Sequence, residues 1–299
     1  MNTPSPTRPR IVGLGEILWD VFPDRRCFGG APANFAAHAA ALGAEATLVS
    51  ALGRDAPGNQ AIEELQARKI GVEHVARTDR PTGEVTITLD SEGKADYVFA
   101  ADVAWDALEW NPALERLAAR TDAVCFGTLG QRDAQSCGVI QRFVAATPES
   151  SLRIFDVNLR QRFYNDDIIE DSLFLTNVLK LNDEEIDVVD PEGAGRDPAD
   201  RLRDLCRRHN LRVAALTLGA EGALLATPDD ATHVPAVKAD IVDTVGAGDS
   251  YTATLALGLL HHAPLAEIGQ KACEVAAFVC GQPGATPELP DHLRRPFQG

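Results

Sequence analysis

The chain has 299 residues, 45% hydrophobic and 24% charged, with a formal net charge of −16. That size suits one large α/β domain or two small ones, and the acidic balance excludes a nucleic-acid partner, which needs a basic face, and disfavours an anionic membrane surface. The six cysteines (Cys27, Cys125, Cys137, Cys206, Cys273 and Cys280) include no C-x-x-C pair, so neither a zinc site nor a disulfide framework is expected, and no apolar run is long enough to span a bilayer.

The opening MNTPSPTRPR lacks the apolar centre of a signal peptide, so a cytoplasmic location is expected. Residues 10–19 read as a strand. APANFAAHAAALG reads as a helix with Pro32 in its first turn and Gly43 as its stop. ATLVSALG is a strand, and 58–71 a helix. TGEVTITLDSEGKADYVFA then alternates apolar and polar residues across Ser91, Glu92 and Gly93, the pattern of a half-exposed hairpin. From residue 123 strand and helix signals alternate: strands at 123–127, 152–158, 177–182, 213–219 and 222–227, and helices near 133–146, 167–174, 247–260 and 265–280. Continuous apolar strands are buried on both faces, as in a parallel sheet covered by helices. No linker divides the chain, so 1–299 is read as one domain with a small β appendage from about 16–30 and 73–104.

The chemistry concentrates at DTVGAGDS, residues 243–250. Gly246, Ala247 and Gly248 lead into a helix whose first N–H groups lack internal partners, a ready anion site. Asp249 there reads equally as a dipole-compensating first-turn residue and as a reacting group. G-x-x-x-x-G-K-[ST] and H-E-x-x-H are both absent, and Leu18 occupies the third glycine position of the G-x-G at 13–15. His261 and His262 are expected at the surface.

DTVGAGDS resembles the C-terminal signature of the ribokinase-like (PfkB) carbohydrate kinases, and FGGAPANFAAHAAALG resembles their N-terminal signature. The two stand in the family's order, and the likeness extends over nearly all of the chain from residue 11. It implies a three-layer α/β/α fold with a mostly parallel sheet and a β lid. It implies Asp249 as catalytic base, taking the proton of a sugar hydroxyl, and Gly246, Ala247 and Gly248 as the anion hole for the γ-phosphate. Asp20, Gly29, Gly30 and Asn34 would hold the sugar; unaided, Asp20 reads as a turn residue and Asn34 as a cap. Asn158 and Arg160, at the end of DVNLR, are candidates for phosphate or sugar contacts. Asn182 and Glu185 form a capping-box pattern in NDEE, and in the family this N-x-x-E organises magnesium and its waters beside ATP. Thr217 and Gly219 match the nucleotide-binding turn, whereas Gly222 serves only the next turn. Asp243 and GQPGATPELP resemble segments that hold potassium in many members.

GE-I-L-W-D, GGAPAN and ADVAWDAL look most like the fructokinase branch, implying Mg2+-ATP and the fructose 6-hydroxyl as substrates. Ribokinase, 2-keto-3-deoxygluconate kinase and nucleoside kinase are the alternatives inside the family, and a non-catalytic sugar or nucleotide sensor is the alternative outside it. Exposed faces on the hairpin predict a homodimer through the lid.

Overall fold

In this computed structural model the described residues are 8–89, 95–295 and 297. The chain opens with β1 (Arg10–Leu14), β2 (Leu18–Val21), β3 (Arg26–Gly29), α1 (Ala31–Ala41), β4 (Glu45–Gly53), α2 (Ala56–Ala67) and β5 (Val75–Thr78). It continues through β6 (Gly83–Leu89), β7 (Ala95–Phe99), α3 (Pro112–Ala118), β8 (Ala123–Phe126), α4 (Ala134–Ala145), β9 (Leu152–Asp156), α5 (Asp166–Leu175) and β10 (Val178–Asn182). Last come α6 (Ile186–Val189), α7 (Pro198–Arg208), β11 (Val213–Thr217), β12 (Ala223–Ala226), β13 (Ala231–Val234), α8 (Ala247–Leu260) and α9 (Leu265–Cys280).

The large sheet has the order β13-β12-β11-β10-β9-β8-β1-β4-β5. From β10–β11 to β4–β5 every pairing is parallel, whereas β12 runs antiparallel to both β11 and β13. Residues 222–227 therefore form an antiparallel strand, since Gly222 turns the chain straight back beside β11. Side-chain alternation sorts the strands between two cores. Ile11, Cys125, Ile154 and Val178 face Phe35 of α1, Tyr251 and Leu255 of α8 and Ile268 of α9. Val12, Phe126, Phe155 and Leu179 face Phe143 of α4, Leu173 of α5 and Leu205 of α7. This is the three-layer α/β/α arrangement.

The strand expected over 10–19 is two strands in two sheets. At Gly15, with φ of 141°, the chain leaves the large sheet, and Leu18–Val21 enters a second sheet of order β3-β2-β6-β7. There β2 runs antiparallel to β3 and parallel to β6, over a small core of Leu18, Val85, Ile87, Val103, Trp105 and Leu129. β6 and β7 form the expected antiparallel pair, and the turn residues Ser91, Glu92 and Gly93 lie outside the described residues. Val75–Thr78, inside the 73–104 span, pairs with β4 at the edge of the large sheet instead.

The helices begin where the chain supplies caps. Asp55 caps α2 by accepting from Gly58 N at 2.8 Å, and its carboxylate also accepts from Thr82 N at 2.8 Å and Thr82 Oγ1 at 2.6 Å. The start of α2 is thereby fastened to the strand entering the second sheet. Three helices escape the sequence pattern. α3 and α6 have only seven and four residues, and α7 (PADRLRDLCRR) buries Leu202, Leu205, Cys206 and the ion-paired Arg201. Among the described residues, no helix is long and apolar enough to cross a membrane.

Candidate active site

The parallel strands direct their carboxyl ends, and the helices after them their N-termini, to one edge of the large sheet, where open α/β sheets bind ligands. α1 packs against β1 and α8, and α8 packs against β9. Gly246 caps α8 in the left-handed conformation, with φ of 81°, and a Cβ there would meet the Ala285 carbonyl oxygen at 2.1 Å. Only glycine makes this turn. The first intrahelical bond runs from Ser250 N to Gly246 O at 2.9 Å, and Ala247 N is turned to Thr244 O at 3.3 Å. The Gly248 and Asp249 N–H groups thus precede the helical ladder, one position further on than Gly246 and Ala247.

Asn34, in the second turn of α1, donates from Nδ2 to Asp249 Oδ2 at 2.9 Å. One bond therefore joins the two signatures found at opposite ends of the sequence. The Asn34 Oδ1 atom is buried without a partner. Burial and the neighbouring Asp156 carboxylate push the Asp249 pKa up to about 7, against the Asn34 bond and the charges of Lys180 and Arg160.

Asp20 lies on β2, and its Oδ2 sits 2.8 Å from where a Cβ of Gly29 on β3 would stand. Glycine lets this carboxylate lie over the backbone. Gly30, with φ of 111°, turns the chain into α1. Burial raises the Asp20 pKa to about 6, and Arg160 opposes that shift. Arg160 follows β9, and its charge also opposes the rise at Glu16 and Asp249. Asn158, with φ of 45°, lines a narrow cavity with Glu16, Asp156 and Asp249.

Asn182 and Thr217 are register partners on β10 and β11. The capping box closes as the sequence predicts. Asn182 Oδ1 accepts from Glu184 N and Glu185 N, both at 2.9 Å, and Glu185 Oε2 accepts from Asn182 N at 2.9 Å. Glu185 Oε1 also accepts from Leu159 N at 3.0 Å, anchoring the segment that carries Arg160. Each carboxylate oxygen keeps a further lone pair, which fits a role toward a hydrated cation. Among the described residues no group of three or more His, Cys, Asp or Glu side chains could hold a metal directly. Gly219, with φ of 54°, opens the turn after β11, and a Cβ on Gly222 would strike Val234 O at 2.0 Å, so Gly222 serves strand packing.

Asp243 accepts from Val245 N at 3.0 Å and Gly284 N at 3.2 Å, which seats the 281–290 segment against the turn before α8. His38 closes the same corner by donating from Nε2 to Ala285 O at 2.9 Å. His261 and His262 are exposed beyond the far end of α8.

Four polar residues of this region escaped the sequence reading: Glu16, Asp156, Lys180 and Thr252. Lys180 Nζ and Asp156 Oδ1 lie 3.0 Å apart, and Thr252 Oγ1 reaches Asp156 Oδ2 at 2.8 Å. A lone lysine inside the apolar strand NVLKLN was the available signal, since lysine is seldom buried without a partner. Glu16 accepts from Ala31 N at 3.3 Å through Oε1, while its other oxygen is buried and unpartnered.

A mostly parallel α/β/α sandwich with a glycine-turned helix N-terminus over its carboxyl edge is an arrangement suited to binding phosphate groups. The chain belongs to the pfkB family of carbohydrate kinases, whose model matches residues 21–292, and it is an ATP-dependent phosphotransferase. It is 27% identical to an uncharacterized sugar kinase of Pyrococcus horikoshii, over 95% of this chain and 94% of the other. The structure of that kinase in complex with ATP superposes with a TM-score of 0.79 over 92% and 94% of the two chains. A fructokinase of Klebsiella pneumoniae is 28% identical over 96% and 98%. A 2-dehydro-3-deoxygluconokinase of Thermotoga maritima, 20% identical, shares the fold with a TM-score of 0.85 over 94% and 95%.

The raised pKa carries a stability consequence. Because the folded value of about 7 exceeds the ordinary 3.8, ionisation of Asp249 weakens the fold progressively as pH rises through that interval. Asp249→Asn should therefore raise Tm at pH 8, on the order of 5 °C, and by less at pH 5. Thermal unfolding at the two pH values checks this; an equal shift at both would contradict it.

Proposed function

We propose that this carbohydrate kinase is a fructokinase, transferring the γ-phosphoryl group of ATP to the fructose 6-hydroxyl, with Asp249 as the base. The observation that carries the reading is the 2.9 Å bond from Asn34 to Asp249, which supports pairing the amide read as sugar-binding with the carboxylate that would take the hydroxyl proton. The hydroxyl oxygen bonds to the γ-phosphorus as its proton passes to Asp249, and ADP departs with the electrons of the broken P–O bond. Glycine backbone at 246–248 admits the phosphate, and the Gly248 and Asp249 N–H groups face charge building on it. Asp20, Gly29, Gly30, Asn34 and Arg160 hold the sugar. Asn158, Asn182, Thr217 and Gly219 hold ATP, with exposed apolar Ile241, Val242 and Val245 offering a surface to its base.

Glu185 would hold the Mg2+ of Mg2+-ATP through water, and the ion would supply neutralisation of phosphate charge. A monovalent cation belongs beside Asp243 and the 281–290 segment. The second sheet acts as a lid that excludes water from the transfer. Tyr97 and Val98, 46% and 56% exposed on its β7 edge, support a homodimer through the lid. A cytoplasmic location, where ATP is supplied, is consistent with this activity.

One observation favours a second acceptor. Arg160, acting on three carboxyl groups of the site, also suits an acidic sugar such as 2-keto-3-deoxygluconate.

Asp249→Asn should lower kcat by three or more orders of magnitude while sugar binding holds within a few-fold, read by ADP release and calorimetry. In the wild type kcat/KM should rise with pH through about 7, since the base acts only when ionised. Retained turnover in the variant would refute the base. In a panel of fructose, ribose, 2-keto-3-deoxygluconate and nucleosides, fructose should give the highest kcat/KM; a higher value for the acidic sugar, abolished by Arg160→Ala, would establish the second acceptor instead. Sedimentation of Val98→Lys should show a monomer where the wild type sediments as a dimer.

A further inference from the structure

Lys180 and Asp156 are direct neighbours on β10 and β9, and alternation puts both on the face that carries α8. Each is almost wholly buried: their side chains are 8% and 7% exposed, and Nζ lies 3.0 Å from Oδ1. The other carboxylate oxygen of Asp156 receives Thr252 Oγ1 at 2.8 Å, and the same hydroxyl lies 3.0 Å from Gly248 O. Thr252 stands three residues after Asp249, one turn along the same side of α8. A Cβ on Gly248 would come within 3.1 Å of Lys180 Nζ, so the cation lies against the turn that precedes Asp249. Asp156 and Asp249 line the same narrow cavity.

A buried ion pair adds little net stability, because desolvation offsets most of its attraction. Its placement under a reacting carboxylate calls for another reason. We propose that Lys180 and Asp156 are positioning residues for the phosphoryl transfer: through Thr252 they fix the first turns of α8 on the sheet, and their opposite charges act on Asp249 in opposite senses. The proposal rests on the reading of Asp249 as base. The groups around that carboxylate are Asn34 from α1, Glu16 from the segment after β1, Cys125 from β8, Asp156 from β9, Arg160 from the segment after β9 and Lys180 from β10. Of the charges beside it, Asp156 disfavours ionisation, while Lys180 and Arg160 favour it. Burial disfavours the charge of Lys180 itself, yet Asp156, Glu185 and Asp249 together keep it protonated.

Asp156→Asn and Lys180→Met break the same ion pair from its two sides, each leaving the other charge behind. Their effects on the base are opposite. In the full-length enzyme with Mg2+-ATP and its best sugar, the acid limb of the kcat/KM profile should move down by about one pH unit in Asp156→Asn and up by about one in Lys180→Met. Thr252→Val, which changes no charge, should lower kcat and leave the limb in place. Limbs that move together, or that stay within a few tenths of the wild type in both charge variants, overturn the proposal. Asp156→Asn is isosteric and leaves Lys180 near Glu185 and Asp249, so it decides the matter alone if Lys180→Met does not fold; an unmoved or raised limb then overturns the proposal. Failure of the underlying reading is separately visible, as turnover retained in Asp249→Asn.

Discussion

Everything in the site depends on how closely the N-terminal turns of α1 and α8 approach over the carboxyl edge of the sheet. The contact is the 2.9 Å bond from Asn34 to Asp249, and small residues make it attainable. Ala33, Ala36, Ala37 and Ala39 of α1 are buried, and so are Ala253 and Ala256 of α8. A longer side chain in that seam would separate the amide from the carboxylate. Gly246 and Gly30 then start the two helices from turns that residues with a Cβ would not make without strain. The alanine-rich helix starts are packing devices in their own right.

The second constraint is electrostatic. The site gathers Glu16, Asp20, Asp156, Glu185 and Asp249 in a chain already strongly acidic. Burial raises the pKa values of Glu16, Asp20, Glu185 and Asp249, and the nearby cations that oppose the rise are Lys180, Arg160 and, for Glu16, Arg132. A cluster this acidic repels a nucleotide phosphate unless the cations and helix N-termini lie between them. Arg160 opposes the rise in three of these carboxyl groups, and Glu185 ties the Arg160 segment to β10 through Leu159 N. The balance costs stability and poises a carboxylate near neutral pH, a compromise common at reacting sites.

Much of the fold was legible because parallel strands buried on both faces leave continuous apolar runs, and capped helices leave Pro, Asp, Asn and Gly at their ends. The elements missed have physical reasons. α7 carries a well-formed helical stripe of Leu202, Leu205 and Cys206, but six of its eleven residues are charged, which hides it from a reading that looks for apolar runs. The single strand read over 10–19 hid a change of sheet, because Gly15 alone marks it and both halves are apolar. The 75–78 segment has only four residues, too few to show a pattern, and its parallel pairing with β4 appears only in the folded sheet.

For the site, DTVGAGDS, GGAPAN and NDEE by themselves determined a glycine-turned helix N-terminus, a small-residue helix start and a capping box. Those are local patterns, fixed by φ, by the absence of Cβ atoms and by hydrogen bonds over three residues. The sequence could not determine that Asn34 meets Asp249, that Asp20 lies over Gly29, or that Lys180 pairs with Asp156 below α8. Those contacts follow from strand order and from which face each alternating side chain takes, and only the closed sheet with its helices in place settles both.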